Sequence, residues 1–213
     1  CFFNGYNAES YKKLMFDIIV GDTDQKNVIL LEIEPEKQNT YIDMLSTSVE
    51  LGIPVVCVTK VIKQGNNLYY NDDQGSLVEI KKIYNRVIFD ELYQRTDLEM
   101  QFKFTDDLDV EWIGHPNWFY RISKYMMPFL KNKYVPETFF LHELKELPSD
   151  LEHYVLKPLF SFAGAGVIID VTKEDIEKIE DRSNFILQRK VNYEPVLKSP
   201  NDSVKVEIRM LMM

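Results

Sequence analysis

Tyr154-Val155-Leu156-Lys157-Pro158-Leu159-Phe160-Ser161-Phe162-Ala163-Gly164-Ala165-Gly166-Val167-Ile168-Ile169 is the stretch on which the reading of this chain turns. An apolar run of strand length delivers a lysine, a loop of small residues follows, and a second apolar run leads away. An ammonium at a strand end can meet phosphate oxygens, and Gly and Ala let backbone N–H groups approach the same oxygens closely. Two familiar phosphate motifs do not fit. There is no GxxxxGKS/T, and Gly164-Ala165-Gly166 lacks the third glycine of GxGxxG and enters a strand, not a helix. Strand, lid loop and strand is the better description. A solvated lysine at a strand end is the plainer alternative for Lys157.

Around this centre the pattern is one of short strands, expected at 134–140, 152–158, 167–170, 184–191 and 204–212. One helix, about 173–181, starts at Thr172 with Asp175 as its capping partner. Residues 117–130 read as a further helix, capped by Pro116-Asn117, striped by Trp118, Ile122, Tyr125 and Phe129, and ended or kinked by Pro128. The composition shifts near 112–116, which sets a domain boundary there: 1–115 and 116–213.

The front half has a different rhythm. Tyr11, Leu14, Met15, Ile18 and Ile19 recur at helical spacing, predicting a helix over 9–20. Val28 to Ile33 is a buried strand, 36–51 a helix with Ile42, Leu45 and Val49 on one stripe and Gly52 as its stop, and Pro54 to Thr59 a second buried strand. Helix, strand, helix, strand implies a parallel α/β sheet. Leu68-Tyr69-Tyr70 and Leu77-Val78-Glu79-Ile80 flank a turn at 71–75 and read as a hairpin. Ile83 to Phe89 is a further strand, and 90–110 a helix followed by a loop.

Composition narrows the function. The 213 residues are 45% hydrophobic and 28% charged, ordinary for a globular protein with real cores. A net charge of −9 argues against a nucleic-acid binder, because nothing supplies a broad cationic face. Cys1 and Cys57 cannot make a metal quartet or a disulfide framework, so a reducing cytoplasm is the default and Cys57 is expected in the core. No apolar stretch approaches a membrane span, and no signal peptide is expected. The chain starts without Met and stops at Arg209-Met210-Leu211-Met212-Met213 in what reads as mid-strand, so a segment of a longer protein is expected.

With these residues in view, the last hundred or so positions resemble the ATP-grasp superfamily. Ser123-Lys124 ahead of Tyr134-Val135-Pro136-Glu137-Thr138 is similar to the family's helix lysine followed by a "vPxT" strand. Val155-Leu156-Lys157-Pro158 resembles its "vvKP" strand, and 160–166 its glycine-rich loop. Phe185-Ile186-Leu187-Gln188-Arg189-Lys190-Val191 resembles the "vQeyi" hinge strand, and Val204-Lys205-Val206-Glu207-Ile208-Arg209-Met210-Leu211 the "vEiRvlv" strand. More loosely, Leu31-Glu32-Ile33-Glu34-Pro35, Thr40-Tyr41-Ile42-Asp43 and Ile83-Tyr84-Asn85-Arg86-Val87 resemble the pre-ATP-grasp domain of the glutathionylspermidine-synthase-like and circularly permuted branches.

The resemblance implies a fold: a Rossmann-like parallel-sheet domain, then a partial α+β ATP-grasp domain with its lysine and glycine-loop subdomain at about 116–183 and a second begun at 184–213. It implies ATP and Mg²⁺, with the metal ligands expected beyond the end of this chain. Lys124 and Lys157 would hold the α- and β-phosphates. Ser161 and the backbone of Ala163, Gly164, Ala165 and Gly166 would cover the β/γ-phosphates. Gln188, Arg189, Lys190 and Val191 would meet the adenine edge, between apolar walls from Leu156, Ile186 and Val191, and Glu194 would contact the ribose. Arg209 would serve the γ-phosphate or an acyl-phosphate transition state. The implied activity is an ATP-dependent carboxylate–amine ligase taking a small carboxylate and an amine or short peptide. The alternative is a nucleotide-binding or scaffold module that kept the fold without the chemistry. A third reading makes residues 1–115 a separate ligand-binding unit.

Several residues carry two readings. Lys124 falls off its apolar stripe and suits a surface lysine as well as a ligand. Gln188-Arg189-Lys190 suits the exposed side of an edge strand. Arg209 follows Glu207 on one strand face and suits a structural role as well. Asn85-Arg86 places a charge in a strand expected to be buried, which demands a partner: a substrate carboxylate, giving Arg86 a catalytic role, or an acid at a domain interface. Trp112, Trp118, Phe119 and Tyr120 suit a core better than a stacking platform. His115, His142 and His153 lack metal spacing, and Asp72, Asp73, Asp106, Asp107 and Asp109 read as solvated loop charges.

Overall fold

The protein is α/β: a parallel four-stranded sheet followed by antiparallel sheets. The computed structural model describes residues 5–161 and 164–207. It divides into two compact units, Cys1–Phe119 and Tyr120–Met213.

The first unit opens with α1 (Ala8–Ile19), started by a capping box between Asn7 and Ser10. Then follow β1 (Val28–Glu32), α2 (Tyr41–Leu51) and β2 (Val55–Cys57), a βαβ unit in which β1 and β2 run parallel. β3 (Ile62–Gln64), β4 (Asn67–Asn71) and β5 (Leu77–Ile80) form an antiparallel meander. β6 (Lys82–Asn85), α3 (Phe89–Gln94) and β7 (Glu111–Ile113) complete it. The parallel sheet has the order β2-β1-β6-β7, with β1 buried throughout its length, as its unbroken apolar run requires.

Two cores flank this sheet. On one face Ile19, Val20, Leu30, Met44 and Leu51 pack together beneath α1 and α2. On the other, Ile29, Leu31 and Ile33 meet Leu68, Tyr70 and Ile80 of the meander and the aromatic side chains Phe102, Phe104 and Trp112. Trp112 is thus a core residue, whereas Trp118 is 53% exposed.

Three expectations are corrected in this unit. The stripe Ile42, Leu45, Val49 of α2 faces out, with Ile42 76% and Val49 81% exposed; Met44 and Leu51 face the sheet instead. Both stripes have helical period, so spacing alone could not choose between them, and β1 selects the face. The helix also begins late, because Pro35–Lys37 makes a separate 3-10 turn. Finally, β6 ends at Asn85 and Phe89 starts α3, so the expected strand to Phe89 is cut short; β3 was missed.

α4 (Trp118–Arg121) is one turn, followed by a 3-10 segment at Lys124–Phe129. The long helix expected over 117–130 is broken at Ile122-Ser123, where the Ser123 side chain accepts the Tyr125 amide and starts a new turn, and Pro128 prevents regular continuation. Ile122 is consequently 75% exposed.

In the second unit β8 (Thr138–Phe140), β9 (Tyr154–Pro158), β10 (Ile168–Ile169) and β11 (Phe185–Arg189) form an antiparallel sheet of order β10-β9-β11-β8. α5 (Lys173–Glu177) has the expected capping box between Thr172 and Asp175, and it covers one face through Ile176 beside Leu156, Val171 and Leu187. β12 (Pro195–Lys198) and β13 (Ser203–Lys205) form a separate exposed hairpin, of which β12 was not foreseen. No helix among the described residues is long and apolar enough to cross a membrane.

Candidate phosphate site on the second sheet

Alternation along β9 and β11 sorts the site. Leu156 and Leu187 point into the core under α5, so Val155, Lys157, Ile186 and Gln188 point to the opposite face. Phe140 and Ile186 form a small cluster there with Leu159, and Tyr125 from the 3-10 segment packs on Phe140 at 5.1 Å between ring centroids. The segment carrying Lys124 therefore lies over the face that presents Lys157.

Lys157 is half-buried. Its Nζ donates to Gln188 Oε1 at 2.6 Å, Gln188 Nε2 donates to Thr138 Oγ1 at 2.9 Å, and Thr138 Oγ1 donates to the Pro136 carbonyl at 2.9 Å. The relay crosses three strands and fixes the amine by neutral groups. Among the described residues no carboxylate pairs with it. Burial therefore acts unopposed and holds the Lys157 ammonium below the usual lysine range. Thr138 and the side chain of Gln188, both buried, are the groups that hold Lys157, and motif reading does not single them out, although Thr138 stands in the quoted Pro136-Glu137-Thr138.

Lys124 Nζ donates to the Ser161 carbonyl at 2.8 Å and to Ser161 Oγ at 3.1 Å, binding the 3-10 segment to the start of the small-residue loop. Gly164, Ala165 and Gly166 are exposed, and both glycines have left-handed φ, +80° and +69°. A Cβ at Gly166 would lie 2.8 Å from Pro158 Cγ, so the loop can return over β9 only with glycine there. Ala163 and Arg209 lie outside the described residues.

The hinge residues make these contacts within their own unit. β11 is an interior strand, so the edge-strand reading of Gln188-Arg189-Lys190 is overturned. The Arg189 amide donates to the Glu137 carbonyl and the Lys190 amide to the His153 carbonyl, each at 2.8 Å. The Arg189 guanidinium is held by Tyr154 Oη and Asp150, and the Lys190 ammonium by Asp170 and the Glu152 carbonyl. Arg189, Lys190 and Val191, with Tyr134 and Pro136, line a surface cavity of about 270 Å³. That is below the roughly 300–1,000 Å³ of clefts for drug-sized ligands. Glu194 is exposed.

Arg86 belongs to the first unit. Its Nη1 pairs with Asp43 Oδ2 at 3.0 Å, so the acid it needs comes from α2 of the same unit. A cavity of about 900 Å³ also lies in that unit, along the free edge of β2 between Lys26, Gly52, Cys57 and Lys60. Its lysines and acids alternate, with Lys26 on Asp24 and Lys37 on Glu34, so it presents no convergent charge and is read as an exposed sheet edge.

The chain is similar to a glutathione synthetase-like effector. That protein, GSS30 of Globodera pallida in its apo form, aligns with a TM-score of 0.49 and 12% sequence identity. The alignment covers 85% of this chain and 45% of the effector, so the chain spans under half the length of the structure it matches. No family model matches the chain. No curated protein matches it either.

Among the described residues no group of three or more His, Cys, Asp or Glu is placed to hold a metal ion.

Proposed function

We propose that the chain is the nucleotide-binding part of an ATP-grasp-type carboxylate–amine ligase that works through an acyl-phosphate. The observation that carries the reading is Lys157, a half-buried cation held, among the described residues, by a neutral amide. A buried charge without a counter-ion is costly, and a bound anion removes the cost. A phosphate entering on that face meets the Lys157 ammonium beside a loop whose glycines leave its amides accessible. Lys124, already tied to Ser161, sets the loop's position.

In the reaction this implies, a carboxylate oxygen attacks the γ-phosphorus and ADP leaves. The amine then attacks the acyl carbon and inorganic phosphate leaves. The residues of this chain contribute binding and orientation: Lys157 and Lys124 neutralise phosphate charge, and the relay through Gln188 and Thr138 keeps the Lys157 ammonium in place. Because the Arg189 and Lys190 amides are taken by the sheet, adenine recognition falls to Val191 and to carbonyls lining the small cavity.

Calorimetric titration of ATP and adenosine into wild type and Lys157→Ala tests this. Charge-assisted bonds are worth about 1.5–3 kcal/mol, so ATP should bind roughly ten- to a hundredfold more weakly and adenosine unchanged. Equal losses for both ligands would assign Lys157 a structural role. Release of ADP and phosphate on adding a carboxylate supports the ligase; ATP binding without turnover leaves a nucleotide-binding module, and AMP as product would exclude the acyl-phosphate.

A further inference from the structure

The parallel sheet of the first unit changes its direction of growth between β1 and β6. The chain leaves β1 for β2 on one side and adds β6 on the other. Loops leaving the carboxyl ends of two such strands diverge, and the crevice between them is where open α/β sheets take ligands. Glu32 is the last residue of β1, and Arg86 directly follows β6. Alternation places both on the face of Leu30 and Tyr84, beneath α1 and α2.

Glu32 is only 4% exposed. Its Oε1 accepts the Ile33 amide at 2.8 Å. No described residue donates to Oε2. Since no fully buried side-chain oxygen among the described residues lacks a partner, Oε2 keeps some contact with solvent. The surroundings are acidic. Asp43 of α2 takes the Arg86 guanidinium, which also lies over the Tyr84 ring. Glu91 of α3 accepts from Gln38 Nε2 at 3.1 Å and raises the Glu32 pKa by its charge. Glu32, Glu91 and Asp43 thus bring three acidic groups against the one Arg86 guanidinium, which Asp43 already engages.

We propose that this crevice binds an aliphatic ammonium group through the open oxygen of Glu32. The negative local balance disfavours an anion. A metal ion would need more ligands than stand together here, whereas an ammonium needs only acceptors in reach. The inference rests on the first unit and is independent of the nucleotide reading. Burial, opposed by the Ile33 amide and then aided by Glu91, lifts the Glu32 carboxyl to about 7, with Arg86 pulling slightly the other way. An arriving ammonium therefore drives a proton off Glu32. Two sources share the chemistry: a plain amine, and an amino acid whose carboxylate could use the remaining donors of Arg86.

The test is calorimetry on the full 213-residue chain at pH 7 without nucleotide, titrating n-butylamine and glycine in two buffers of different ionisation enthalpy. Binding should release about half a proton per site, since the carboxyl is half ionised there. Glu32→Gln should weaken binding about tenfold or more and abolish the release, with the unfolding transition showing that the variant is folded. Tighter binding of glycine assigns an amino acid, and tighter binding of butylamine a plain amine. No binding of either up to about 50 mM, binding without proton release, or equal affinity for Glu32→Gln overturns the proposal. If that variant does not fold, the wild-type proton release decides alone.

Discussion

Lys124 and Ser161 lie 37 positions apart and are joined twice, through the Ser161 carbonyl and its hydroxyl. One bond uses the backbone and survives any side chain at 161; the other does not. The two residues can therefore be separated by substitution. Lys124→Met removes both bonds and the charge, and should weaken ATP binding by more than tenfold. Ser161→Ala removes only the 3.1 Å bond and should weaken it by less than about threefold, since a neutral hydrogen bond contributes on the order of 1 kcal/mol at most here. Titration calorimetry of the two variants distinguishes them. Equal effects would mean that Lys124 acts on the loop through the hydroxyl and not on phosphate.

Gln188 offers a sharper test of the buried amine. Gln188→Glu puts a carboxylate where the neutral Oε1 now stands, 2.6 Å from Lys157 Nζ. The new ion pair satisfies the ammonium internally and competes with any incoming anion. ATP affinity should fall about tenfold or more while the denaturation midpoint holds or rises. Unaltered ATP binding would show that Lys157 does not face the nucleotide.

How far the sequence carried these conclusions depends on the kind of signal. β1, the Thr172–Asp175 capping box and β9 were legible because each is written in consecutive residues: an unbroken apolar run, a cap with its partner three positions on, an apolar run ending in Lys-Pro. Relations between elements were not. The outward face of α2 has the same period as the inward one, and only packing on β1 tells Met44 from Ile42. The Lys157–Gln188–Thr138 relay depends on β11 lying between β9 and β8, an order no local pattern specifies. The partner of Arg86 was predictable in kind, an acid, yet its identity as Asp43 required the register of β6 against α2.

Glu32 makes the stability of the protein depend on pH in an unusual direction. Burial penalises the charged form and lifts its carboxyl from the ordinary 4.5 to about 7 in the fold. The folded state thus binds the proton more tightly than the unfolded chain. This stability is fully present below 4.5 and is lost as pH rises through 7, amounting to about 3 kcal/mol between those limits. Glu32→Gln should remove that slope. Urea denaturation at pH 5 and pH 8 measures it, and a wild type no less stable at pH 8, after subtracting the variant's own change, would contradict the buried carboxyl. Asp97 works in the opposite sense: the Arg95 hydrogen bond holds it at about 2, so its contribution is lost only as pH falls toward that value, outside this window.

The last prediction concerns the two glycines of the small-residue loop. Gly164 and Gly166 have the same left-handed backbone, so alanine at either incurs a conformational cost of about 1–2 kcal/mol. Their surroundings differ. A Cβ at Gly164 meets nothing described within 4 Å, whereas one at Gly166 meets Pro158 Cγ at 2.8 Å. The proline ring belongs to β9 and cannot swing aside, so relief must come from moving the loop away from the strand that carries Lys157. Gly164→Ala should therefore cost only the backbone strain and leave ATP affinity within about threefold, because the loop keeps its place. Gly166→Ala should cost about 1 kcal/mol more and weaken ATP binding by about tenfold or more as the loop amides retreat from the phosphates. Paired denaturation and titration of the two variants reads both effects. If Gly166→Ala is destabilised but binds ATP as wild type does, the loop is a structural turn and the phosphate contacts lie with the lysines alone.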